Sequence, residues 1–230
     1  MAQPATALAW RGDLSHRQSN RRLGTVALGA SLALLLYAAL SYAVRAPEPL
    51  ARDLQLARWV QALRWRPFTW LLWWMSVLGF LPALPTIPVG TALWLWRAGQ
   101  PLEALAALAS ASAGGVAVWL KRVTTRPRPD AQQVRVSSTL GDYGFPSGHV
   151  ATYTAFCGFL AYLGYIHGRS WAERRLLPLA CGLVIGLMGP SRIYRGHHWA
   201  SDVLGGYILG LGHLVLVLGA YRSLRQAQGR

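Results

Sequence analysis

The stretch LGTVALGASLALLLYAALSYAV, residues Leu23 to Val44, carries no charged side chain. A helix of this length reaches about 33 Å, enough to cross a hydrocarbon core of about 30 Å. Lipid offers no partner for a bare backbone amide, so the run predicts a transmembrane helix. Arg17, Arg21 and Arg22 precede it. The apolar region of a cleaved signal peptide is shorter, roughly 7–15 residues. The run therefore reads as a retained first span, with residues 1–22 a cytoplasmic N-terminal segment.

Downstream, Arg45, Arg52, Arg58, Arg64 and Arg66 interleave with Leu50, Leu54, Leu56, Trp59, Val60 and Leu63. That pattern predicts an amphipathic helix lying in the interface. Phe68 to Trp96 is apolar but broken by Pro82, Pro85 and Pro88, each lacking an amide donor. A short hydrophobic helix through about Phe80 and a kinked second span ending near Trp96 are expected. Leu102 to Leu120, rich in Ala, Ser and Gly, is a third span. Val150–Ile166, Leu176–Gly189 and Val203–Ala220 are the fourth, fifth and sixth, while residues 121–146 and the basic loop His167 to Arg175 are too polar to cross. The expected fold is an all-α membrane protein: six transmembrane helices in a bundle, with an interfacial helix between the first and second spans. One domain covers 23–221, followed by a cytoplasmic tail at 222–230.

Composition agrees. Of 230 residues, 53% are apolar and only 13% charged, too few charges for an ordinary soluble domain. Eleven tryptophans suit aromatic belts at two membrane surfaces. The net charge of +15 raises nucleic acid as a partner, but the Lys and Arg residues lie between apolar runs rather than along one helix or tail. Anionic headgroups and a phosphorylated substrate account for them more economically. Cys157 and Cys181 lie inside apolar stretches without metal-ligand spacing and read as small buried residues.

Three polar clusters border the later spans. His198 and Asp202 stand four apart, neighbours on one helix face. The carboxylate can fix one imidazole nitrogen and leave the other as a nucleophile. Alone, the pair fits equally well a polar helix start whose Asp suits the dipole. His197 is five residues from Asp202, points elsewhere and reads as a loop residue; Arg195 reads as a lipid-phosphate contact. Pro146-Ser147-Gly148-His149 opens the fourth span. Ser147 fits a plain N-cap, yet a helix N-terminus with a glycine is also an anion site, and His149 beside it can pass a proton to a leaving oxygen. Lys121 ends the third span, and Arg126-Pro127-Arg128-Pro129 is a stiff cationic stretch that can hold a guanidinium for phosphate.

Taken together in order and spacing, Lys121-x6-Arg128-Pro129, Pro146-Ser147-Gly148-His149 and Ser191-Arg192-x5-His198-x3-Asp202 resemble the three signature motifs of the type 2 phosphatidic acid phosphatase superfamily, in its integral-membrane bacterial branch. The resemblance implies His198 as the residue that becomes a phosphohistidine, Asp202 as its orienting partner, and His149 as the acid and then base. Lys121, Arg128, Arg192, Ser147 and the Gly148 amide would hold the phosphoryl oxygens. No metal or cofactor is implied: Asp130 and Asp142 read as solvated loop residues, Asp142 shaping the turn before Tyr143-Gly144. Expected substrates are undecaprenyl pyrophosphate, phosphatidylglycerol phosphate or phosphatidic acid. A phosphotransferase with the same site and a non-catalytic lipid-phosphate transporter are the alternatives, and a transporter has no need of an oriented nucleophile.

Six spans place both termini on one side and all three clusters on the other. Lys and Arg are nearly balanced between the sides. Once Lys121, Arg128 and Arg192 are set aside, a slight surplus at the termini puts them in the cytoplasm and the site on the extracytoplasmic face of the bacterial plasma membrane.

Overall fold

A computed structural model of the chain describes residues 5–45, 50–79 and 83–229, with the side chains of residues 5–22 left aside. The described elements are all helical: α1 (Ala5–Ala43), α2 (Ala51–Ala62), α3 (Arg66–Val77), α4 (Ala83–Arg97), α5 (Pro101–Ala111), α6 (Ala113–Thr124), α7 (Gly148–His167), α8 (Trp171–Tyr194) and α9 (Ala200–Ala227). Among the described residues, four stretches are long and apolar enough to cross a membrane: Leu23–Ala43, Pro101–Thr124, Trp171–Tyr194 and Ala200–Ala227. Leu28, Leu34 and Leu35 of α1 are about 70% exposed, 72%, 66% and 68%, as suits contact with lipid tails.

The apolar region around the prolines forms two helices, α3 and α4, with Pro88 inside α4. Pro82 falls outside the described residues. The expected third span is α5 and α6 joined through Ser112, whose helical backbone (φ −64°, ψ −10°) lets the axis continue. Helix α8 starts at the N-cap Ser170, whose hydroxyl accepts the Glu173 amide at 3.1 Å. It begins five residues before the apolar run because exposed polar residues can lengthen a helix beyond its hydrophobic part.

Helix α7 lies at the centre, packed against α5, α6, α8 and α9. Lipid tails are as apolar as leucine, so helix association relies on close packing rather than on escape from water. The sequence provides for this with Ala113 and Ala117 of α6 against Ala151 and Ala155 of α7. On α9, Gly206 and Gly210 let the backbone of α7 approach. A Cβ at Gly206 would lie 2.7 Å from the Ser147 carbonyl oxygen, and one at Gly210 would lie 2.8 Å from that of Ala151. Farther along, Phe159 of α7 meets Tyr221 of α9 edge to face at 5.4 Å.

Helix α2 occupies part of the segment expected to lie flat in the interface. Its inner face buries Asp53, Ala57, Val60 and Gln61 against α8 and α9. Two of the four are polar, so this helix does more than cover the bundle.

Candidate active site

The polar clusters meet at one end of the bundle. Lys121 comes from the last turn of α6, which stops at Thr125 in the left-handed region (φ 50°). The loop then turns back to α7. The end of α8 carries Arg192, and a turn at Gly196 (φ 69°) presents His197 and His198 before α9 begins. At Gly196 the Arg135 carbonyl packs so closely that no side chain would fit, and the positive φ suits glycine as well.

His198 is 1% exposed. Its Nε2 lies 3.2 Å from Nη1 of Arg128. A guanidinium only donates, so Nε2 is the bare nitrogen and Nδ1 carries the proton. Nδ1 faces Oδ2 of Asp202 at 3.5 Å, near enough for charge although the pair lacks hydrogen-bond geometry. The tautomer thus aims the lone pair of Nε2 at the cationic side of the site. Burial, reinforced by Arg128, Lys121, His149 and Arg192, holds the imidazole pKa well below the ordinary 6.5.

Arg128 donates to the His197 carbonyl at 2.5 Å, to the Asp142 carbonyl at 2.8 Å and to the Asp142 carboxylate at 2.5 Å. Lys121 pairs with the other oxygen of the same carboxylate. This corrects the reading of Asp142 as a solvated loop residue: it is half exposed, yet it bridges both cations of the first motif. Sequence spacing hid the pairing because Lys121 and Asp142 are 21 residues apart and meet only when the loop folds back. Burial raises the Asp142 pKa, but the Lys121 hydrogen bond and the charges of Lys121 and Arg128 outweigh it and hold the carboxyl below its ordinary range.

Ser147 is buried, and its amide donates to the Asp202 carbonyl at 3.0 Å. Its hydroxyl has no hydrogen-bond partner among the described residues. His149 turns Nε2 toward the Gly79 carbonyl, and buried Arg192 donates to the Ser76 hydroxyl. The end of α3 therefore holds two of the expected site residues. A cavity of about 500 Å³ opens beside them. Its lining includes Lys121, Arg128, Asp142 and His149 together with apolar side chains such as Leu84, Val89, Leu108 and Val118. Cationic and apolar side chains thus line the same cavity.

The family model described as the PAP2 superfamily matches residues 102–225, more than half of the chain. The chain belongs to the PAP2 superfamily. Phosphatidylglycerophosphatase B of Bacillus subtilis (strain 168) is 36% identical over 110 residues, 47% of this chain and 50% of that protein. Lipid A 1-phosphatase of Porphyromonas gingivalis (strain ATCC 33277) is 35% identical over 105 residues, 46% of this chain and 20% of that protein. The chain thus matches half or less of the length of these curated relatives. The crystal structure of a transmembrane PAP2 type phosphatidylglycerolphosphate phosphatase from Bacillus subtilis shares the fold, with TM-score 0.67 and 22% identity over 84% of this chain and 96% of that one. That of Aquifex aeolicus LpxE does so with TM-score 0.58 and 22% identity over 74% and 97%.

Beyond the PAP2 motifs, the structure brings in residues that sequence reasoning passed over. Arg126 is 2% exposed and joins Asp202, Ser201 and Asp53 of α2. In the sequence Arg126 was one of two arginines in a Pro-rich stretch, and Asp53 an acid among interfacial arginines; neither carried a mark of burial. Gln61 ties α2 to the same end, donating to the Arg135 carbonyl at 2.7 Å and the Tyr194 carbonyl at 3.2 Å. His197 lies in the turn, as expected, with Nε2 held by the hydroxyls of Ser137 and Ser138 at 3.0 and 2.9 Å. Burial, then Arg192, Arg195 and Arg128, lower its pKa to about 4. Among the described residues no three His, Cys, Asp or Glu side chains gather as a metal ion would need.

Proposed function

We propose that this chain is a membrane phosphatase that removes the terminal phosphoryl group of a lipid phosphate or pyrophosphate through a phosphohistidine at His198. The observation that carries the reading is the bare Nε2 of His198, 3.2 Å from Arg128, whose side chain lines a cavity shared by cationic and apolar residues. In the first half-reaction Nε2 forms the bond to phosphorus as the bond to the lipid oxygen breaks. His149, released from Gly79 and doubly protonated with the phosphate bound, gives one ring proton to that oxygen and becomes neutral. Water then attacks the phosphohistidine while His149 takes its proton, giving orthophosphate and restoring His198.

Lys121, Arg128, Arg192, the Ser147 hydroxyl and the Gly148 amide meet the charge that spreads over the equatorial oxygens. Asp202 steadies the ring as it becomes cationic. The chemistry runs without a metal, since the charge is met by fixed cations. The names of the two curated relatives support a phosphorylated lipid as substrate. Phosphatidylglycerol phosphate, undecaprenyl pyrophosphate and phosphatidic acid each offer a terminal phosphoryl group on an apolar body.

In the membrane we place six spans, with α3 as the short hydrophobic helix and α4 as the kinked second span, α2 at the interface, the termini in the cytoplasm and the site outside. Single cysteines at Gln132 and Arg169, in a background lacking Cys157 and Cys181, test the sidedness. An impermeant thiol reagent added to intact cells should modify the first only, and the reverse pattern would turn the site inward. For the activity, the test is phosphate release from a panel of lipid phosphates and pyrophosphates by the detergent-solubilised protein, with excess chelator in one arm. Release that survives chelation supports the whole reading. Loss on chelation with recovery on adding Mg²⁺ would remove the metal-free mechanism, and no release from any member would remove the phosphatase.

A further inference from the structure

The motifs account for Asp202 but not for the side chains that hold it. Arg126 donates from Nη1 to Asp202 Oδ1 at 2.6 Å and from Nη2 to Asp53 Oδ2 at 2.7 Å. Asp53 also accepts the Ser201 amide at 2.8 Å and the Ser201 hydroxyl at 2.6 Å. The second oxygen of Asp202 takes the Trp199 amide at 2.9 Å. Asp53 and Arg126 are each 2% exposed and Asp202 is 0% exposed, so water screens none of these charges.

The charge balance follows from those contacts. Two carboxylates against one guanidinium leave one negative charge beside His198. If Asp53 were neutral, Arg126 would cancel Asp202 and the ring would face no net charge from this direction. The other groups that reach His198 are Arg128 in the loop, Lys121 on α6, His149 on α7 and Arg192 on α8, all cationic or neutral. Asp142 is engaged with Lys121 and Arg128. When Nε2 takes a phosphoryl group and Nδ1 keeps its proton, the ring becomes cationic. The carboxylate–guanidinium–carboxylate chain then supplies the opposing charge.

We propose that Asp53 is a positioning residue of this site: it balances Arg126, so that Asp202 keeps its negative charge for His198 in the phosphoryl transfer assigned above. Helix α2 would then be part of the catalytic support rather than only a surface helix.

The test uses the full chain in detergent, with kcat and KM on a lipid phosphate the wild type hydrolyses, and a nitrogen-15 NMR titration of the histidine rings. Asp53→Asn should lower kcat about tenfold or more and leave KM within twofold. Adding Arg126→Gln to that variant removes one charge of each sign and should recover most of the loss. A double variant slower than Asp53→Asn alone would overturn the proposal, because a purely structural network only worsens as members are removed. The His198 ring should titrate highest in Arg126→Gln, lowest in Asp53→Asn and near wild type in the double variant; any other order overturns it. Should Asp53→Asn fail to fold, the titration of Arg126→Gln decides, and a ring no more basic than wild type sinks the idea. The titration needs no substrate, so it judges the charge balance even if the phosphatase reading fails.

Discussion

At one end of α7, His198 and Asp202 meet Arg126 and Arg128; at the other, His167 and Tyr221 meet Glu103 and Arg225. The two ends are about 28 Å apart along the helix and use the same residue types. At the far end Tyr221 donates to Glu103 at 3.0 Å, and Arg225 donates to Tyr221 at 2.6 Å and to Nε2 of His167 at 2.9 Å. There the imidazole lone pair is spent on a partly buried arginine, and none of these four residues lines the cavity that opens at the site. At the site end the lone pair of His198 points to a guanidinium that itself borders the cavity. Both open nitrogens face a guanidinium; the two ends differ in that Arg128 lines the cavity and Arg225 does not.

That contrast can be broken by experiment. His198→Ala should reduce phosphate release by at least about 10³-fold while the protein stays folded, since it removes the nitrogen that faces Arg128. Substantial remaining turnover would place the nucleophile elsewhere. Asp202→Asn should cost about a hundredfold or more in kcat, because it strips the charge that steadies the cationic ring. Near-normal turnover would reduce Asp202 to a helix-start residue like any other.

The pH profile gives a smaller but directional effect. The neutral ring is the nucleophile and its pKa lies below 6.5, so lowering the pH toward 6.5 leaves it unprotonated. With the substrate's own ionisation divided out, kcat/KM should lose activity on the acid side only below 6.5. An acid-side limb with its midpoint above that value would mean the cationic neighbours do not act on the ring as the geometry requires.

Asp142→Asn should tighten inhibition by orthophosphate about fivefold, because the carboxylate occupies both Lys121 and Arg128. Arg128 would stay in place through the Asp142 main-chain carbonyl, which the substitution keeps. Weaker inhibition would recast Asp142 as a support for the cradle. Glu103→Gln should leave kcat within twofold and lower the melting temperature by a few degrees, for a loss of about 1 to 3 kcal/mol in a charge-assisted contact. A large loss of turnover there would erase the distinction between the two ends.

Much of this protein was legible one segment at a time. Residues 23–44, the apolar runs of α5 to α9 and the three motifs depend on local composition and on spacings of a few residues, which a helix turns directly into faces and ends. Sequence alone thus determined an all-helical, bilayer-compatible chain and the identity of Lys121, Arg128, His149, His198 and Asp202 as a set. It could not determine which groups would share a charge. The pairing of Lys121 with Asp142 spans 21 residues, that of Arg126 with Asp53 spans 73, and that of Gly79 with His149 spans 70. A buried charge is tolerated only where a partner reaches it, and only the packing of α2, α3 and the loop against α7, α8 and α9 decides which partner that is. For the same reason Asp142 read as a solvated acid and Asp53 drew no reading at all, and tertiary structure made one the counter-ion of Lys121 and Arg128 and the other the far end of the network behind Asp202.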